Sequence, residues 1–139
     1  MSIWIKVLMA VNVWIYRLTG GALGSRMAGQ SVLLLHSVGR KSGKPYTTPV
    51  NFYRDGENYV LVASNWGKGT HPGWFFNLRH QPETTIQVKR QVAPVKASEA
   101  SGAEYERLWE YVTGKNPFYI RYQKQTERKI PIVILTPEK

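Results

Sequence analysis

The chain reads as an α+β or barrel-like domain built mostly from short antiparallel strands. Two observations carry this reading. Short apolar or alternating runs recur along the chain and are separated by glycine, proline and Asp-Gly turn signals. Helical patterns are few and interspersed, at residues 3–18, 73–80, 101–112 and 118–126. A length of 139 residues suits one domain with a sizeable core, and no repeat, linker or low-complexity segment divides it.

The first element, Ile3 to Leu18, carries Trp4, Val7, Leu8, Val11, Trp14, Ile15 and Leu18 at helical spacing, with Lys6 and Arg17 away from that stripe. It is shorter than the roughly 20 apolar residues that span a bilayer. It suits a helix packed on the domain or one lying in a membrane interface. Thr19-Gly20-Gly21 ends it, and Ala22 to Gln30 reads as a glycine-rich connector. Residues 1–30 are thus helix and connector, and 31–139 the body of a single domain.

Ser31 to Val38 is a strand apolar enough to be buried on both faces. Directly after it comes Gly39-Arg40-Lys41-Ser42-Gly43-Lys44-Pro45. A glycine-bearing turn can aim successive N–H groups at one point, and such a nest suits an anion. Three cations and a hydroxyl add attraction and hydrogen bonds. The spacing differs from a Walker A loop, which needs four residues between its glycines and Ser or Thr after the lysine. The alternative is a solvated basic hairpin turn.

Tyr46 to Arg54 is the second strand, with Tyr46, Thr48, Val50 and Phe52 on one face and Thr47, Pro49, Asn51 and Tyr53 on the other. Pro49 marks it as an edge or bulge. Asp55-Gly56 turns the chain into a third strand, Asn58 to Ser64. The polar loop Asn65 to Pro72 joins it to a short helix, Gly73 to His80, and a loop so rich in glycine at this place often carries function. Strands follow at Thr84 to Lys89 and Val92 to Ala97, the second broken by Pro94. A helix from Ser101 to Val112 opens on a capping box with Glu104. Tyr119 and Tyr122 share one face of the next helix. Arg128 to Thr136 is the last strand.

Composition narrows the chemistry. The absence of cysteine excludes disulfides, thiolate zinc sites and cysteine nucleophiles, and fits a cytoplasmic protein. His36, His71 and His80 lie on separate elements without metal-ligand spacing, so no metal site is expected. His36 reads as a structural strand residue and His71 as a weak ligand contact. The formal charge of +10 calls for an anionic partner, and 12% aromatic residues offer flat walls for a ring. Phosphate grip and aromatic walls together suit a phosphorylated ring cofactor. The same ingredients serve a basic nucleic-acid-binding module.

Several segments, in order, resemble the deazaflavin-dependent nitroreductase family. They are Leu33-Leu34-Leu35 with Gly39 to Pro45, Thr48-Pro49, Ala63-Ser64, Pro72-x-Trp74-x-x-Asn77-Leu78, Pro117-x-Tyr119-x-x-Tyr122 and Arg128-x-Ile130-Pro131-Ile132-Val133. Trp14-Ile15-Tyr16-Arg17-x-x-Gly20-Gly21 extends the likeness toward the N-terminus. The resemblance implies a split β-barrel that binds coenzyme F-420, an 8-hydroxy-5-deazaflavin with a phosphodiester and an oligoglutamate tail. It implies that Arg40, Lys41, Ser42, Gly43 and Lys44 hold the tail, and that Pro49 and Val50 set backbone against the ring. Ser64, Asn65, Trp66 and Gly67 would line the ring site, Trp74 and Asn77 would support the phosphate side, and Tyr119 and Tyr122 would face the substrate, with Ser64 beside them as the third catalytic candidate.

Two departures stand out. Tyr46 and Asn65 occupy positions that are often basic in the family, which weakens the anion grip, with Lys68 as the candidate compensation. The implied reaction is hydride transfer from reduced F-420 to a quinone, with nitroaromatics accepted incidentally. The implied partners are the cofactor and acceptor, with no nucleic acid expected. A homodimer is one candidate assembly, and the first helix is a candidate for peripheral membrane contact or for packing on the domain. The alternatives are a split-barrel protein that binds FMN or haem, or an F-420 carrier without catalysis.

Overall fold

The computed structural model describes residues 26–27 and 30–138. The helix expected at 3–18, and the membrane contact attached to it, lie outside the described residues.

Among the described residues, eight strands form one antiparallel sheet: β1 (Arg26–Met27), β2 (Gln30–Val38), β3 (Pro45–Asn51), β4 (Tyr53–Asp55), β5 (Asn58–Val62), β6 (Glu83–Val88), β7 (Gln91–Glu99) and β8 (Ile132–Pro137). The described α-helices that join them are α1 (Gly73–His80), α2 (Gly102–Lys115) and α3 (Phe118–Lys124). The strand order is β1-β2-β6-β7-β8-β5-β4, with β3 also paired to β2. The last strand is therefore central, with Val60 opposite Ile134 on one side and Ala97 opposite Leu135 on the other.

Alternation along the strands makes two cores. Leu33, Leu35, Leu61, Ile86, Val95, Val133 and Leu135 converge on one cluster, which α1 closes with Phe75 and Leu78. Five strands that share one interior describe a curled sheet, the split β-barrel expected from the resemblance. The opposite faces of β5 and β8 present Val60, Ile132 and Ile134 to Tyr105, Leu108 and Val112 of α2 and Tyr119 of α3. Each fully buried aliphatic side chain contributes about 1.5–3 kcal/mol, so apolar burial holds the outer helices to the sheet as it holds the barrel wall together.

Several expectations are corrected. Arg26–Met27, expected within the connector, form a strand against Gln30 and Ser31. The strand expected from Tyr46 to Arg54 is two, because the chain turns at Phe52, whose N–H donates to the Ser31 carbonyl (3.0 Å). Phe52 then packs on the barrel core and Tyr53 on the outer one. Pro94 does not break β7, because pairing to β8 begins only at Val95. The capping box does not form: Ser101 caps α2 without a side-chain bond, and the helix runs on to Lys115. β8 starts at Ile132 rather than Arg128, because the Ile130 N–H goes to the Gln123 side chain (2.9 Å) and Pro131 has none to give. The edge role of Pro49 holds, since β3 pairs with β2 alone. His36 is the structural residue expected, with Nδ1 2.7 Å from the Thr85 hydroxyl.

Candidate active site

The basic stretch is the β2–β3 hairpin turn, closed by Val38 opposite Pro45. Its glycines serve the turn. A Cβ on Gly39 would meet Ser42 Oγ at 2.6 Å and the Tyr46 ring at 2.7 Å. Gly43 sits at φ 70°, where a side chain is strained. The nest expectation is corrected. The Gly39 N–H donates to the Lys44 carbonyl (2.8 Å), Gly43 to the Gly39 carbonyl (2.8 Å), Lys44 to Ser42 Oγ (3.2 Å) and Arg40 to Asn77 Oδ1 (3.1 Å). Among the described residues, only the N–H groups of Lys41 and Ser42 remain without an internal partner. Anion attraction here rests on side chains.

Those side chains are available. The ion pairs among the described residues, Arg79–Glu99 and Arg107–Asp55, lie elsewhere. Arg40, Lys41 and Lys44 are exposed and face no carboxylate. Arg40 is also oriented: its Nη1 donates to Asn77 Oδ1 (3.1 Å) and its guanidinium lies 4.9 Å from the Phe76 ring centroid. Asn77 is 7% exposed, and its amide nitrogen donates to Ser37 Oγ (3.4 Å). A buried amide must be satisfied, and this one is satisfied by tying α1 to the hairpin. The Trp74 ring packs on the barrel core beside Phe75. Pro49 is buried, and Val50 packs against the same core.

The second wall is the turn Asn65–Gly67 and the loop after it. Asn65, Trp66 and Gly67 have φ of 48°, 61° and 78°. A non-glycine residue in that region costs roughly 1–2 kcal/mol, and such strain collects at functional sites. Gly67 is required twice, by its φ and by its packing, since an added Cβ would collide with the Gln125 side chain and lie 3.1 Å from Tyr122 Cα. Trp66 is thereby turned outward and is 56% exposed. The Asn65 amide nitrogen donates to the Thr70 carbonyl (3.0 Å). Ser64 is half-buried at the start of the turn, and its carbonyl accepts from Gly67 (2.9 Å).

The two tyrosines separate. Their rings are 6.4 Å apart, but Tyr119 is 4% exposed and its hydroxyl lies 2.9 Å from that of Tyr53. The expected convergence of both hydroxyls on one open side is corrected: residue i of the pair faces the core, residue i+3 the rim. Burial, then the Tyr53 hydroxyl, push the Tyr119 phenol far above its ordinary range, so it stays neutral. Tyr122 is half-buried, stacked on Phe118 at 6.5 Å, and its hydroxyl makes no hydrogen bond among the described residues.

Phe76, unremarked in the sequence, and His71, read there as a weak ligand contact, connect these parts. Phe76 carries the Arg40 guanidinium and lies 5.5 Å from the His71 ring. His71 Nδ1 accepts from Arg128 Nη1 (2.9 Å). A continuous row, Arg40–Phe76–His71–Arg128, thus runs from the basic hairpin to the loop. Burial first, and then the charges of Arg128 and Arg79, hold His71 below its ordinary pKa and favour the neutral ring that can accept. Tyr53, half of the buried tyrosine pair, was likewise visible only as a strand residue. No local pattern could announce these contacts, since 57 residues separate His71 from Arg128 and 66 separate Tyr53 from Tyr119.

A curled antiparallel barrel with an oriented cationic hairpin at one end of a helix and a strained aromatic loop at the other defines a split-barrel protein equipped for an anionic-tailed ring ligand. The chain belongs to the F420H(2)-dependent quinone reductase family, whose model matches residues 8–137. It is 40% identical over 133 residues to an F420H(2)-dependent quinone reductase of Mycobacterium tuberculosis, covering 93% of this chain and 89% of that protein. Among solved structures it is similar to an F420-H2 dependent reductase, FDR-A, at TM-score 0.68 and 34% identity, covering 75% of this chain and 92% of that one. A second, described as a domain-swapped dimer, aligns at TM-score 0.71 and 29% identity over 95% of this chain and 96% of that one. These matches bear out the family and fold read from the sequence.

Proposed function

We propose that the chain is an oxidoreductase that passes a hydride from reduced coenzyme F-420 to a quinone, with nitroaromatics as incidental acceptors. The observation that carries this is the oriented, unpaired hairpin cations within a chain matched to the quinone reductase family across residues 8–137. The residues present fit the cofactor. Arg40, Lys41 and Lys44 suit a phosphodiester and a polycarboxylate tail, because guanidinium and ammonium groups without carboxylate partners are free for charge-assisted bonds. The Lys41 and Ser42 N–H groups add two donors.

When bound, reduced F-420 supplies the hydride; the chain supplies position and polarity. Asn77 aims Arg40, while Trp66 and Gly67 shape the ring site against α3. Tyr122 is the group proposed to donate a hydrogen bond to the acceptor oxygen as it gains charge, with Ser64 as a second donor from the opposite wall. Tyr119 anchors α3 and so holds Tyr122 in place. Pro49 and Val50 are proposed as backbone contacts along the free edge of β3. A homodimer is supported by the related domain-swapped structure. Peripheral membrane contact is supported only by the amphipathic pattern at residues 3–18, and no helix among the described residues is long and apolar enough to cross a membrane.

Fluorescence titration with F-420, FMN and haem in parallel tests the cofactor, with saturable binding expected for F-420 alone. The double substitution Arg40→Ala, Lys41→Ala should then weaken F-420 binding, at about 1.5–3 kcal/mol for each charge-assisted hydrogen bond lost. Wild-type affinity in that variant would remove the hairpin from the site. Tighter binding of FMN or haem would replace the proposed cofactor.

A further inference from the structure

The Arg128 guanidinium occupies an unusual place. Nη2 donates to the Ser64 carbonyl (2.8 Å), Nη1 to the Ala63 carbonyl (3.2 Å) and to His71 Nδ1 (2.9 Å), and Nε to the Lys68 carbonyl (2.9 Å). Four acceptors along one loop, from its first residue to its last turn, meet in a single planar fork. No carboxylate among the described residues pairs with it. The turn it grips is the one with three successive positive φ angles. The backbone of Arg128 is itself tied to the other wall: its carbonyl accepts from the Gln123 side chain (2.7 Å), whose oxygen accepts the Ile130 N–H (2.9 Å), and its own N–H donates to Thr126 Oγ1 (3.3 Å). Gln123 lies on α3, next to Tyr122.

We infer that Arg128 is a positioning residue that sets the 63–71 loop at a fixed distance from the tyrosine helix, and thereby fixes the width of the ring site. The inference rests on the proposed function for what fills that site. A guanidinium can do this and an ammonium cannot, because the acceptors lie in the plane of a fork with separate N–H directions. The carbonyls drawn inward to Arg128 leave Trp66 facing out, so the same contacts that relieve the turn also present its ring.

Amide hydrogen exchange of the ligand-free protein, followed by mass spectrometry, tests the geometry without the cofactor. Arg128→Lys and Arg128→Ala should both raise exchange in the 63–71 peptide by about tenfold or more, the effect of losing one charge-assisted bond. Peptides from β2, β6 and β7 should stay as in wild type. F-420 affinity should fall in both variants, and millimolar guanidinium should restore loop protection and part of the affinity in Arg128→Ala but not in Arg128→Lys, where the ammonium fills the place. Wild-type exchange of the loop in Arg128→Ala overturns the inference. So does an exchange increase spread over the whole sheet and unmoved by guanidinium, which would make Arg128 a support of the fold alone. If wild-type protein fails to bind F-420, the proposed cofactor falls while the exchange result still decides the role of Arg128.

Discussion

Tyrosines three residues apart on one short helix have opposite fates, and the reason is local. Tyr119 points where β4 and α2 have already built an apolar wall, and its hydroxyl is satisfied by Tyr53. Tyr122 lies against Gly67, which has no side chain to cover it. Phenylalanine should therefore act differently at the two positions. Tyr119→Phe removes the hydroxyl bond to Tyr53, which keeps the Asn116 side chain, and should cost about 1 kcal/mol of stability, read as a lower Tm, with a small effect on rate. Tyr122→Phe should leave Tm unchanged and slow acceptor reduction by about 10–100-fold, the scale of losing one positioned donor. Thermal unfolding and single-turnover oxidation of bound reduced F-420 by a soluble quinone separate the two. The reverse pattern, a slow Tyr119→Phe and a wild-type Tyr122→Phe, would return the polarising role to the buried residue.

At the scale of the element, the loop from Ala63 to His71 depends on the charge of one ring. His71 accepts through Nδ1, which a protonated imidazolium no longer offers. Its folded pKa lies below the unfolded value of about 6.5. A lowered folded pKa means that the unfolded chain binds the proton first, so the contribution is complete above about 6.5 and fades as the pH falls through the lowered value. Tm should drop between pH 7 and 5, and exchange in the 63–71 peptide should rise over the same range. His71→Asn, with an amide oxygen that accepts at any pH, should flatten both profiles. Equal pH dependence in the variant and the wild type would place the titrating group elsewhere. The nearby cations Arg128 and Arg79 keep their charges across this window and do not mimic the effect.

Across the whole molecule, positive charge is in excess, and among the described residues little of it is spent in ion pairs. The formal charge is +10, and two ion pairs form among the described residues. Such a surface attracts a polyanion from a distance, and salt screens the attraction over about 10 Å at 0.1 M. The affinity for F-420 should fall steeply between 50 mM and 500 mM salt. A deazaflavin ring that lacks the phosphate and glutamate tail should bind more weakly and respond little to salt. Titration of both ligands over that range decides the point, and parallel salt slopes would show that the charges serve the ring rather than the tail. Nucleic acid, if it were the partner, would give a strong salt dependence with no preference for the deazaflavin.

What the sequence determined was periodicity and covalent chemistry. The apolar runs of β2 and β8, the Asp55-Gly56 turn and the bounds of α1 follow from side chains within a few residues of one another. The order of short motifs from Leu33 to Val133 carried the family, and the family carried the barrel. The site was legible in part. The hairpin cations, the glycine and tryptophan loop and Asn77 were each visible as types of residue. Tertiary structure alone decided how they act. It turned the hairpin N–H groups inward, because Asn77 and Ser42 lay within reach to take two of them. It sent Tyr119 into the core and left Tyr122 at the rim. It placed Arg128, read from the sequence as a strand residue, under a loop more than fifty residues earlier in the chain. Hydrogen bonds are satisfied in space by whichever partner the packed sheet brings near, and a linear pattern of hydrophobicity contains no record of that choice.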